Sequence, residues 1–122
     1  MEKWFVCTEI FEEAIQLHTE IAELCQLMQC YAVLLDDHGR VSDLRVKAKA
    51  HTLKAEEMAE NIDDMKFNEL ILLHTELEAL YHEASAYASK LGFHETCFEF
   101  GLVKAEAHHM AIWELEEIKS NK

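Results

Sequence analysis

The chain has 122 residues, half of them hydrophobic, which is enough for one domain with a modest core. Its formal net charge of −13 argues against a nucleic-acid backbone as partner, since that needs a basic surface, and leaves an acidic inhibitor that mimics nucleic acid as a minor reading. Proline is absent and only three glycines interrupt the sequence, so the composition reads as all-helical.

No stretch approaches the ~20 apolar residues that span a bilayer, and the amino terminus lacks a basic region followed by an apolar core. A cytoplasmic location without a membrane partner is therefore expected. The four cysteines, Cys7, Cys25, Cys30 and Cys97, show no Cys-x-x-Cys spacing. In a reducing compartment they are expected to be small buried hydrophobes.

In chain order, the first helix is predicted over Trp4–His38, with Gly39 as the left-handed residue after it and Ser42 as the next cap. The second covers Asp43–Glu60 and ends at Asn61 and Ile62. Asp63 or Asp64 caps the third, which extends to Leu91 and is closed by Gly92, and the fourth covers Glu95–Lys119. The expected architecture is an antiparallel four-helix bundle over residues 1–122, made of hairpins 4–62 and 63–120. An alternative joins the second and third helices, because Leu44, Ala48, Ala55, Met58, Ile62 and Met65 continue in phase into Leu73 and Leu80. Such a helix would exchange between chains.

The two halves match. Shifted by 56, Glu13/Glu69, Leu17/Leu73, His18/His74, Thr19/Thr75, Glu20/Glu76, Leu24/Leu80, Tyr31/Tyr87 and Leu35/Leu91 coincide; shifted by 57, Val46–His51 overlays Val103–His108. This reads as a duplicated helical hairpin. An ion on its pseudo-two-fold axis would take equivalent ligands from both halves.

Glu76 lies sixteen residues before Gly92 and Glu106 fourteen after it, so at ~1.5 Å per residue both stand roughly 21–24 Å from the turn, at one level. Glu106 and His109 share a helix face. Glu20 corresponds to Glu76, and Glu57 and Glu60 lie at its level counted from Gly39. The stripe Leu44, Ala48, Ala55 turns Glu57 outward, whereas Val46, Ala50 and Leu53 lead toward it, so the inner face of the second helix stays open. Carboxylates near apolar stripes are costly unless compensated, and one cation compensates several. Such a donor set suits iron or manganese, and affinity order also admits zinc or copper.

Glu76, Tyr87-Ala88-Ser89-Lys90, Gly92-Phe93-His94-Glu95, Phe100 and Glu106-Ala107-His108-His109 resemble the rubrerythrin branch of the ferritin-like family. The resemblance covers the third and fourth helices. It implies a ferritin-like bundle with a di-iron or other dimetal centre, for which Glu20, Glu57, Glu60, Glu76, Glu106 and His109 are the candidate ligands. It also implies oxidoreductase chemistry of peroxidase or ferroxidase type. No rubredoxin-like cysteine site is present, so an external electron donor would be required. The first half departs from the family: Lys49 and Thr52 stand where Glu-x-x-His is expected, and the connection between the hairpins is short where the family has a long crossover.

The other histidines carry weaker expectations. His18 and His74 precede the candidate carboxylates by two residues and are expected on a flank or an oligomer contact; His108 is expected to face away from His109. His38, His82 and His94 are expected at the surface or in turns. Ala50-His51-Thr52-Leu53-Lys54-Ala55 resembles the phosphohistidine motif of histidine-containing phosphotransfer domains, with Arg40, Arg45, Lys47, Lys49 and Lys54 around it. In that reading His51 attacks an acyl phosphate, although Ala55 replaces the motif's glycine. A non-catalytic acidic helical adaptor is the third class. The fourth helix is apolar around most of its circumference, at Phe98, Phe100, Leu102, Val103, Met110, Ile112, Trp113 and Leu115, so a homodimer or larger assembly is expected.

Overall fold

The computed structural model describes the backbone of residues 2–60 and 67–120, and the side chains of 12–58 and 68–120. The described chain is helical: α1 (Glu2–Leu34), α2 (His38–Glu60), α3 (Phe67–Lys90), α4 (His94–Phe98), a π-helical segment (Glu99–Lys104) and α5 (Ala105–Ser120). Glu99 and Ala105 are both right-handed helical in φ and ψ, so α4, the π segment and α5 form one continuous rod, the fourth. No helix among the described residues is long and apolar enough to cross a membrane. The expected break at Asn61–Asp63, the Asp63 or Asp64 cap and the continuous-helix alternative all turn on residues outside those described.

α1 ends earlier than expected, at Leu34, and Asp36 rather than Gly39 takes the left-handed conformation, with φ 63°. Asp37 N donates to Ala32 O at 2.8 Å and Asp36 N to Val33 O at 3.1 Å, which satisfies the last carbonyls in a Schellman motif. Asp37 also accepts from Arg40 N through Oδ1 at 3.4 Å, so it caps α2 and draws Gly39 inside that helix. The same two bonds recur 56 residues on, from Phe93 N to Ala88 O and from Gly92 N to Ser89 O, with Gly92 at φ 79°. The turns also touch each other: Tyr31 packs on Phe93 at 5.9 Å, and the Tyr87 hydroxyl donates to Asp37 Oδ2 at 3.2 Å.

Ala14, Leu17, Ile21, Leu24 and Met28 on α1, and Leu70, Leu73, Leu77, Leu80 and Ala84 on α3, are all buried. Both sets follow alternating steps of three and four, the spacing of a packed heptad seam. α1 packs on α2 and α3, and α3 packs on α1 and α5, so α1 and α3 are central and α2 and α5 flank them. Glu13 reaches His74 and Glu20 reaches Tyr81, each 61 residues on, so α1 and α3 run in the same direction.

The shift between matching residues is 56 up to the turns and 57 beyond Val103. The π segment lies between those two regions, and a π turn accommodates an extra residue within a continuing helix. It thereby returns α5 to the phase in which Ala105, His108 and Leu115 are buried. Gly101 sits within it because Ser85 comes close: an added Cβ would meet Ser85 Oγ at 2.8 Å, and that hydroxyl donates to Cys97 O at 2.9 Å.

Candidate functional site: two histidine and carboxylate clusters

α2 buries Ala48 and Ala55, and His51 lies three residues after the first and four before the second, on the same face. The small alanines leave room for the ring. Across from it, α1 carries His18, four residues after buried Ala14. The Nδ1 atoms of His18 and His51 lie 2.7 Å apart. His51 Nε2 lies 3.3 Å from Glu76 Oε1 on α3, which also accepts from Lys47 Nζ at 2.8 Å.

A second cluster has the same plan. His74 on α3 and His108 on α5 bring their Nδ1 atoms to 2.8 Å, and His108 Nε2 lies 2.9 Å from Glu20 Oε2 on α1. Tyr81 donates to the same oxygen at 2.5 Å and stacks on His108 with ring centroids 5.6 Å apart. His74 Nε2 lies 3.0 Å from Glu13 Oε1. Each half of the chain thus supplies a histidine pair, and the other half supplies the carboxylate that holds it.

His18, His74 and His108 are all buried, at 8%, 4% and 9% exposure. Burial lowers His18 to about 4, helped by the adjacent His51 ring and the Lys54 charge and opposed by Glu76. It also lowers His74, against the upward pull of Glu13. The bond from His51, with Lys47 beside it, brings the Glu76 carboxyl down to about 2 against the upward push of burial. Burial pushes Glu20 upward too, but the bonds from His108 and Tyr81 outweigh it and hold the group below its ordinary value. Cys25, which stands 56 residues before Tyr81, is buried, and its thiol is raised to about 11 by that burial.

The two clusters differ in whether their ring protons suffice. An ionised carboxylate only accepts, so His51 and His108 donate from Nε2, and each neutral ring then turns a bare Nδ1 toward its partner. In the first cluster His18 fills the gap by donating from Nδ1. In the second, His74 faces a bare Nδ1 on one side and the Glu13 carboxylate on the other, and a neutral ring has one N–H for the two. One positive charge is missing there. Burial holds His74 below its ordinary value, which disfavours a second ring proton as that charge.

Of the candidate ligands, Glu20 and Glu76 lie in these clusters. Glu57 is exposed on α2, and the side chain of Glu60 lies outside those described. Glu106 is exposed, and His109 turns its Nδ1 to Glu78 Oε2 at 3.1 Å and its ring toward Trp113 at 6.2 Å. Counting residues from the turn gives level along the axis but not rotation: Glu106 and His109 each follow a buried residue, Ala105 and His108, and so stand about 100° round from it. The five whose side chains are described therefore do not converge. Among the described residues, no group of three or more His, Cys, Asp or Glu side chains is arranged to hold a metal ion.

His18 and His74 are core residues rather than flank ones, which corrects the expectation for them, and His108 faces away from His109 as expected but into the core. The available signal was that all four paired histidines coincide in the shifted comparison. His38, His82 and His94 are exposed as expected. His51 faces His18 through Nδ1 and Glu76 through Nε2. Beside it, His18, Lys54, Glu69, Leu72, Leu73 and Glu76 line a cavity of about 300 Å3. Cys25 is buried and Cys97 half-buried, but Cys30 is exposed, contrary to expectation. Compared with protein-family models, with curated proteins and with solved structures, the chain matches none.

Proposed function

We propose that the chain is a metal-binding protein, an antiparallel four-helix bundle built from a duplicated hairpin, that takes a transition-metal ion at each histidine pair. The observation that carries this reading is the pairing of inward Nδ1 atoms with Nε2 atoms held by Glu76, Glu20 and Glu13. A carboxylate behind the distal ring nitrogen is the usual support of a metal-ligating histidine, fixing tautomer and ring orientation. His18 with His51 and His74 with His108 would hold the ions. At metal–nitrogen distances of about 2.0–2.1 Å, the paired nitrogens must part by roughly half an ångström to an ångström, within reach of ring rotation.

Imidazole donors suit zinc, copper, nickel or iron. Iron stays within this class, now on a nitrogen-rich donor set, and with iron bound an external electron donor would be needed for turnover. Manganese, which prefers oxygen, fits this set less well. Elemental analysis after reconstitution of stripped protein tests the proposal. Two ions per chain are expected in the wild type, one in His51→Ala or His108→Ala, and two in His82→Gln, whose side chain is exposed. Less than about a tenth of an equivalent in the wild type would overturn it.

A further inference from the structure

α2 and α5 turn matched apolar patches outward. On α2, Val46, Lys49, Ala50 and Leu53 share one exposed face, with Val46 at 68% and Leu53 at 50% exposure. On α5 and the π segment before it, the residues 57 positions later are Val103, Glu106, Ala107 and Met110, also exposed, with Val103 at 50% and Met110 at 56%. The positions repeat valine, charge, alanine and a long apolar side chain at steps of three, four and seven, which is one helix face. The two patches have the same spacing, and their single charged position carries opposite signs.

The surroundings extend the contrast. α2 carries Arg40, Arg45, Lys47, Lys49 and Lys54 against Asp43, Glu56, Glu57 and Glu60, whereas α5 carries Glu106, Glu114, Glu116 and Glu117 against Lys119 alone. A chain with net charge −13 repels its own copies over most of its surface, and the exposed Arg45, Lys49 and Lys54 on α2 lower that repulsion for an approaching acidic helix. α2 packs on α1 and α5 on α3, without packing on each other, which leaves both patches unpartnered among the described residues.

We infer that the α2 face of one copy docks on the α5 face of a second copy of this chain, Val46 and Leu53 burying against Val103 and Met110 with Lys49 and Glu106 paired across the contact. The contact joins unlike faces, so every copy carries both halves of the interface. It does not depend on metal. Light scattering with sedimentation, at tens of micromolar and with chelator present, reads it. The wild type is expected to self-associate, Lys49→Glu and Glu106→Lys are each expected to weaken association by at least about tenfold, and an equal mixture of the two variants is expected to associate again. Circular dichroism of each variant checks folding. A monomeric wild type, reversals without effect, or a mixture that stays dissociated would overturn the inference. The first of these would assign the faces to a different partner.

Discussion

Glu20 on α1 lies 2.9 Å from His108 Nε2 on α5, although 88 positions separate them in sequence, and the same carboxylate oxygen takes the Tyr81 hydroxyl at 2.5 Å. One side chain thereby ties the first helix to the third and to the last. Both bonds end on an ionised acceptor, which makes them stronger than neutral ones. Tyr81→Phe leaves the His108 bond in place and removes the other. Chemical denaturation of this variant is expected to show a loss of about 1–2 kcal/mol; an unchanged midpoint would mean that water replaces the hydroxyl.

Acid should unfold the metal-free protein in two stages. His18 falls from 6.5 to about 4, chiefly by burial, so the folded state prefers the neutral ring. That contribution is complete above 6.5 and is lost as pH falls toward 4. Glu76 falls from 4.5 to about 2 through the bond from His51 and the charge of Lys47. Its contribution is complete above 4.5 and is lost as pH falls toward 2. Unfolding free energies measured with chelator should therefore decline from about pH 6.5 downward. Glu76→Gln should flatten only the part below about 4.5, and a Glu76→Gln curve parallel to the wild type would contradict the assignment.

The π segment sets the phase of everything after it. Deleting Gly101 removes the extra residue and rotates α5 by about 100° against its partners. His109 would then take the place of His108, but Glu106 and Glu116 would take the buried places of Ala105 and Leu115. Burying two carboxylates outweighs any gain from a regular helix. Thermal denaturation is expected to show a loss of at least about 3 kcal/mol or no cooperative transition; a deletion variant as stable as the wild type would show that α5 is held only by its level along the axis.

The helical class, the heptad stripe through Leu73 and Leu80 and the second turn at Gly92 were legible because each depends on local periodicity or on one residue's backbone freedom. The first turn was not, because Asp36 took the left-handed conformation that glycine normally occupies, and Asp37 capped α2 ahead of Gly39. Glu20 and Glu76 were legible as polar groups close to apolar stripes. Their partners were hidden by rotation: a histidine two residues before a glutamate points nearly opposite to it on its own helix, and therefore meets a different neighbour. His18 and Glu20 do this, reaching α2 and α5 respectively. The change of shift from 56 to 57 was visible in the residues, but its cause, the π segment, depends on backbone hydrogen bonding that side-chain patterns do not encode.

The central claim, that paired Nδ1 atoms receive a metal while carboxylates hold Nε2, is tested most directly by long-range proton–nitrogen correlation NMR of the histidine rings in stripped protein, before and after zinc is added. Protonated Nε2 on His51 and His108 is predicted at the start. Zinc is predicted to shift the Nδ1 resonances of His18, His51, His74 and His108 and to leave those of His38, His82, His94 and His109 in place. Ring nitrogens of the four buried-cluster histidines that do not respond to zinc, or a response centred on His109, would contradict it.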